Sequence, residues 1–228
     1  MALPDFLAKP IFHLVYTSMR KRYGTPRPPM QRKVEMPSDE KRFAFDGLID
    51  SALQSGPNSE IVYNLPYTKA DFLHYLCDWR GFVVHGSPLR DLAALEPVRK
   101  STDSGEFGNR QQIFCSPDAA WAMWFAILNK EKYSKTRNGC VRVGVGGKRI
   151  KYYHFELPKK NAEDKPFADG MIYICRAEDF PDKRPEPMLS FLNGEIEEWG
   201  STKPVTPLAK LSVSPNDFPY LEQVEFSL

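Results

Sequence analysis

The stretch Phe82-Val83-Val84-His85-Gly86-Ser87, FVVHGS, sets a β-branched apolar run that reads as a buried strand directly against an imidazole, a glycine and a hydroxyl. A strand requires none of the last three. Glycine at the end of a buried strand lets another group approach the backbone closely, with an N–H and a C=O facing it, which suits a planar amide. Ser87 adds a hydroxyl, and His85 a donor for a sugar hydroxyl. Taken alone, the triplet reads more simply as a strand-to-turn transition.

Bulk properties limit what the triplet can belong to. The chain has 228 residues, 42% hydrophobic and 26% charged, enough for one well-buried core and too few for two comfortable domains. The net charge of +2 is too mild to demand a polyanionic partner, so affinity for nucleic acid has to come from a local patch. Cys77, Cys115, Cys140 and Cys175 lie far apart in apolar settings with no Cys-x-x-Cys pair, the pattern of reduced, buried thiols. No apolar run approaches the roughly 20 residues that span a bilayer. Residues 1–15 lack the basic start and unbroken apolar centre of a secretory signal. The expectation is a cytoplasmic monomer with no membrane association.

Residues 1–58 are rich in proline and charge and read as an N-terminal arm with peripheral helices, ahead of a body over 59–228. The basic segment from Arg20 to Lys33 reads as a solvated linker on composition, or as a phosphate-facing or substrate-facing patch. Phe45, Leu48, Ile49 and Leu53 predict one short helix packed on the body. Thr68 and Asp71 resemble a capping box ahead of Phe72, Leu73, Leu76 and Trp79, which predicts an amphipathic helix leading into FVVHGS. His74 within it reads as an ordinary surface or boundary histidine.

The stretch KSTDSGEFGNRQQ, 100–112, reads as a loop, and Ile113-Phe114-Cys115 as a short buried strand. Ser116 then reads as an N-cap, Pro117 as the first helical position and Asp118 as favourable charge for an almost wholly apolar core helix. Downstream the period alternates. Short β-branched or aromatic segments at 140–145, 151–157, 171–176, 208–213 and 223–226 are separated by turn signals, with Asn138-Gly139 and Gly146-Gly147 as hairpin chemistry. The predicted class is α+β, helices early and a mostly antiparallel sheet of short strands late.

Several familiar chemistries are excluded by spacing. VGVGGKR at 143–149 lacks the leading glycine and the trailing Ser or Thr of a phosphate-cradling loop. His13, His74, His85 and His154 have no partner at ligand spacing, so no metal is expected. No Gly-x-Ser-x-Gly elbow is present.

Three segments in order give FVVHGS a sharper meaning. They are FVVHGSPLRDLAALEP (82–97), IFCSPDAAWAMWFA (113–126) and EEWGSTKPVTPLAKLSV (197–213). Together they resemble the ADP-ribosyltransferase superfamily, in the branch marked by His, Tyr and Glu that includes poly(ADP-ribose) polymerases and diphtheria-type toxins. Members carry a His-Gly-Ser or His-Gly-Thr strand end, then an apolar-Tyr-Phe strand capped into a helix, then a Glu-aromatic pair at the start of a late strand. The short rifampin-modifying transferases look similar through the first two segments. The resemblance spans 82–213 with long unmatched insertions. It implies a split antiparallel β-sheet core flanked by helices, with NAD as substrate and nicotinamide released.

Carried onto this chain, the resemblance implies that His85 holds a ribose hydroxyl of NAD while Gly86 and Ser87 grip the nicotinamide carboxamide. Phe114 stands where the family has its stacking tyrosine, keeping the ring and losing the hydroxyl. Glu198, before Trp199, stands at the catalytic glutamate, with Glu195 and Glu197 as rivals for the role. Arg110 and Arg99 are candidates for the pyrophosphate of NAD through bidentate bonds. The expected activity is transfer of ADP-ribose from NAD to an acceptor, protein, nucleic acid or small molecule. The alternatives are a non-catalytic module binding NAD, ADP-ribose or nucleic acid, and a glycohydrolase that uses water.

Overall fold

Local signals place the helices. The computed structural model describes residues 30–98, 106–129, 133, 136–145, 148–159, 165–185 and 194–226, with 7, 10, 11, 13, 14 and 17 ahead of them. Helix α1 (Asp39–Gln54) starts on Ser38, whose hydroxyl accepts the Lys41 N–H, and buries Phe45, Ile49 and Ala52. Helix α2 (Lys69–Trp79) starts on Thr68, whose hydroxyl accepts the Asp71 N–H at 3.1 Å. Helix α3 (Ala119–Ile127) is apolar all round, and every residue in it except Phe125 is buried. Phe45, Ile49 and Ala52 share one core with α2 and α3, so this part of the arm is structural.

Twelve strands occur among the described residues: β1 (Met30–Lys33), β2 (Ser59–Glu60), β3 (Phe82–Ser87), β4 (Ile113–Cys115), β5 (Arg137–Val145), β6 (Lys148–Leu157), β7 (Gly170–Arg176), β8 (Asp182–Lys183), β9 (Gly194–Ile196), β10 (Trp199–Ser201), β11 (Ala209–Val213) and β12 (Glu225–Phe226). They form three sheets in the orders β2-β11-β7-β3, β4-β10-β8 and β1-β6-β5-β9, with β12 beside β6. All pairs are antiparallel except β2 with β11 and β12 with β6. The class is therefore α+β, built on mainly antiparallel sheets. No helix of the described residues is long and apolar enough to cross a membrane. All four cysteines are buried and free.

FVVHGS is strand to its last residue, which corrects the reading of HGS as a turn. It pairs with β7 from Phe82↔Arg176 to Ser87↔Met171. Gly86 is required by packing against α3: a Cβ there would stand 1.8 Å from the Ala122 carbonyl oxygen. Gly170 meets the same helix, 2.0 Å from the Ala126 oxygen by the same construction. Two glycines on neighbouring strands thus let the backbone of α3 lie directly on the sheet.

The Asn138-Gly139 pair is likewise inside β5, opposite Phe155 and His154, and not at a hairpin. Asn138 instead accepts the Trp121 indole N–H at 2.7 Å. The β5–β6 pairing runs to Val145↔Lys148, while Gly146-Gly147 lie outside the described residues.

Gly86→Ala is expected to destabilise the fold by about 3 kcal/mol or more through overpacking against helix backbone that cannot yield. Urea denaturation measures it, and a loss under about 0.5 kcal/mol, the range of a neutral surface change, would contradict this packing.

Candidate functional site

The first and second sheets meet at one point, the bridge between Val84 of β3 and Ser116 just after β4. Each residue donates its N–H to the other's carbonyl at 2.9 Å. N–H and C=O groups alternate sides along a strand, so Gly86 and Phe114 direct theirs to the same edges as Val84 and Ser116. Apart from this bridge β3 and β4 are not paired, and they belong to different sheets. The His85 ring occupies the opening, with Nδ1 2.7 Å from the Phe114 carbonyl oxygen. A carbonyl only accepts, so Nδ1 carries the hydrogen and, in the neutral ring, Nε2 carries the lone pair. Toward a sugar hydroxyl neutral His85 therefore accepts, the reverse of the donor role read from sequence.

Phe114 is half-buried, and its ring meets Phe107 edge-on at 6.0 Å. Phe107 is buried, so the segment read as an irregular polar loop carries its own anchor. Arg110 lies over the Phe107 ring at 5.8 Å and pairs with the exposed Glu106 at 3.2 Å. Arg110 is thus one ring removed from Phe114. Gly200, opposite Phe114 in the β4–β10 ladder, leaves room for the buried Gln112 side chain, which a Cβ would meet at 2.4 Å. Ser87 accepts the Leu89 N–H at 3.2 Å, turning the chain after β3.

Glu198 and its rivals Glu195 and Glu197 differ completely in surroundings. Glu195 is exposed and pairs with Arg142. Glu197 is buried, its carboxylate held by Lys151 Nζ at 2.9 Å and Arg142 Nε at 2.8 Å. Glu198 stands at the start of β10, where Arg184 Nη1 meets its carboxylate at 2.8 Å and the Arg184 N–H donates to its carbonyl at 2.9 Å. In the β4–β10 ladder Trp199 faces Cys115, so the next step sets Glu198 beside Ser116. Glu198, Ser116 and Val84 thus form a row across three strands, roughly 10 Å from end to end at normal strand spacing. His85 follows Val84 directly. The structure accordingly sets His85, Gly86, Phe114 and Glu198 on neighbouring strands around one bridge, with His85 and Glu198 two strands apart.

A buried charge network underlies this junction. Lys151 Nζ lies 3.1 Å from Asp78, 3.2 Å from Asp118 and 2.9 Å from Glu197, and donates to the Pro117 carbonyl at 2.8 Å. Arg32 reaches Asp78 at 2.8 Å and Asp118 at 3.6 Å. Arg32, Lys151 and Arg142 therefore balance Asp78, Asp118 and Glu197. Asp118, and not Ser116, caps α3, accepting the Trp121 N–H at 2.9 Å. Burial alone would raise the Asp118 carboxyl, but Lys151, His74 and Arg32 outweigh it and hold the group well below the usual carboxylate range. Burial, reinforced by Arg32, pushes the His74 imidazole down to about 4. His74 is thus a buried neutral ring and not the surface or boundary residue read from sequence.

Sequence reasoning missed Lys151, Arg184, Phe107 and the second role of Ser116. A lysine inside a strand flanked by Ile150, Tyr152 and Tyr153 was the available signal, since a charge at such a position calls for buried partners. Arg99 and most of the basic segment from Arg20 to Lys33 lie outside the described residues; Arg32 belongs to the network. Among the described residues no group of three His, Cys, Asp or Glu side chains is arranged to hold a metal ion. A cavity of about 300 Å³ is lined by none of the junction residues; its Tyr63 hydroxyl already donates to the Tyr67 and Thr68 carbonyls, and its Lys69 pairs with Asp217.

Two outcomes follow from the network. Lys151→Met leaves three buried carboxylates to two cations and is expected to destabilise the fold by about 3–5 kcal/mol in urea denaturation, with a loss under 1 kcal/mol contradicting the charge balance. His74 has a depressed folded pKa, so above about 6.5 it is neutral folded or unfolded and contributes nothing to the pH dependence. Between about 6.5 and 4 the unfolded chain takes up the proton and the folded one does not, so stability falls with pH by about 3 kcal/mol. Replacing His74 by Phe should flatten that decline, and an unchanged slope would contradict the assignment.

Compared with known proteins, the chain matches no protein-family model, no curated protein and no solved structure.

Proposed function

We propose that the protein cleaves NAD at its nicotinamide–ribose bond and transfers ADP-ribose to an acceptor. The observation that carries this reading is the bridge between β3 and β4, which sets Gly86, the His85 imidazole of fixed tautomer, the half-buried Phe114 and, one strand further, Glu198 on neighbouring strands. Each part answers a need of the substrate. The unpaired edge at Gly86 offers N–H and C=O in the spacing a planar carboxamide uses. The Phe114 ring gives a face for the cationic pyridinium of NAD, an attraction that ends when nicotinamide leaves neutral. His85 Nε2 accepts from a ribose hydroxyl. Phe in place of the family's Tyr keeps the stacking surface and removes one hydroxyl, a change in affinity more than in chemistry.

In the reaction the bond between nicotinamide nitrogen and ribose C1′ breaks, and its electron pair leaves with neutral nicotinamide. Positive charge then develops on C1′ and the ring oxygen, and the Glu198 carboxylate stabilises it. The acceptor's lone pair forms the new bond to C1′, and Glu198 takes the acceptor's proton. Arg184 bears on this step because it shares the Glu198 carboxylate at 2.8 Å. That ion pair orients Glu198, and it has to yield one oxygen to the ribose.

The same ion pair favours a second reading, in which Arg184 keeps Glu198 occupied and the junction only binds NAD or ADP-ribose. Water as acceptor gives the third, a glycohydrolase. Incubation with labelled NAD and a cell extract separates the three. Nicotinamide release with labelled macromolecule or small-molecule product supports transfer; release with free ADP-ribose alone selects hydrolysis. Thermal stabilisation by NAD without release selects the binding module. Neither release nor stabilisation contradicts all of them. Glu198→Gln is expected to lower nicotinamide release roughly a hundredfold or more while NAD affinity changes less than about threefold.

A further inference from the structure

The junction depends on a residue that touches neither nicotinamide nor ribose in the reading above. Ser116 uses every polar group it has. Its N–H and C=O hold Val84 at 2.9 Å each, fixing the strand that carries His85 and Gly86. Its hydroxyl donates to the Glu197 carbonyl at 2.6 Å and accepts the Asp118 N–H at 3.0 Å. The bonded carbonyl belongs to the peptide that joins Glu197 to Glu198. On the far side the Glu197 N–H donates to the Cys140 carbonyl at 3.1 Å, and the Glu197 carboxylate is held by Lys151 and Arg142. Ser116, Glu197 and Asp118 are all buried, so water does not substitute readily for a lost bond.

We propose that Ser116 is the positioning residue of this site, its hydroxyl setting the peptide before Glu198 while its backbone sets the strand of His85, so that the carboxylate and the imidazole are held in one register. Binding of NAD draws on Gly86, Phe114 and His85, which keep their places when the hydroxyl is removed. Stabilisation of charge on C1′ draws on the position of Glu198, which does not. A displacement near 1 Å is enough to cost about a hundredfold in a rate that relies on alignment. The inference rests on the reading of the junction as an NAD-cleaving site.

The test compares wild type, Ser116→Ala and Ser116→Thr in nicotinamide release, NAD affinity by calorimetry and amide hydrogen exchange. For Ser116→Ala the expected result is a fall in kcat of roughly ten- to a hundredfold, with NAD affinity within about threefold of wild type. Ser116→Thr, which retains the hydroxyl, recovers most of the lost turnover. Amides of 195–201 exchange at least about tenfold faster in Ser116→Ala, while those of β3 and β7 keep their protection. Turnover within about twofold of wild type, or equal losses in kcat and affinity, overturns the positioning role and leaves the NAD reading standing. Unchanged exchange at 195–201 overturns it as well, whatever the kinetics. If wild type binds no NAD and releases no nicotinamide, the functional reading fails and takes the catalytic meaning of Ser116 with it.

Discussion

One ammonium group, that of Lys151, ties together parts of the chain that have no local reason to meet. It draws α2 through Asp78, the cap of α3 through Asp118 and the link between β9 and β10 through Glu197 onto a single point of β6. A charge so placed tolerates no partial arrangement, because each unpaired member would sit ionised in an apolar interior. Burial beside this network keeps His74 neutral, with Arg32 and Lys151 opposing its protonation. Everything at the candidate site hangs from this arrangement, since Asp118 fixes the start of α3 and Glu197 fixes the peptide before Glu198.

On that foundation two separate sheets meet at a single bridge. Helix α3 lies hard against β3 and β7 because Gly86 and Gly170 leave no side chain in its way. Its start is anchored by Asp118, and the residue two before it, Ser116, holds the only bridge between the two sheets among the described residues. Past that bridge the strands part and the His85 ring enters the gap, bonded to the carbonyl of Phe114. Glu197 and Glu198, adjacent in the chain, thereby divide their work: the first is structural and buried, the second faces Arg184 at the edge of the opening.

The sequence is legible where local rules suffice. The cap at Thr68, the apolar stripe of α2, the buried helix after Asp118 and the alternating strands from Cys140 onward follow from capping, period and composition. Reading failed where tertiary packing overrode a local signal. Gly86 and Gly139 look like turn residues, yet both lie in strands, the first because α3 needs the space. Ser116 looks like an N-cap, yet its hydroxyl is spent on the Glu197 carbonyl and the cap passes to Asp118. Ranking Glu195, Glu197 and Glu198 was beyond any local rule, because their partners Arg142, Lys151 and Arg184 are supplied by other strands and only the folded chain tells them apart.

The account stands or falls on whether the opening between β3 and β4 holds a dinucleotide. A crystal soaked with NAD gives the most direct answer. The predicted result is a nicotinamide ring between the Gly86 edge and Phe114, a ribose hydroxyl on His85 Nε2 and C1′ within about 3.5 Å of a Glu198 oxygen. Bound NAD at any other place, or an opening that stays empty at saturating NAD, would contradict it.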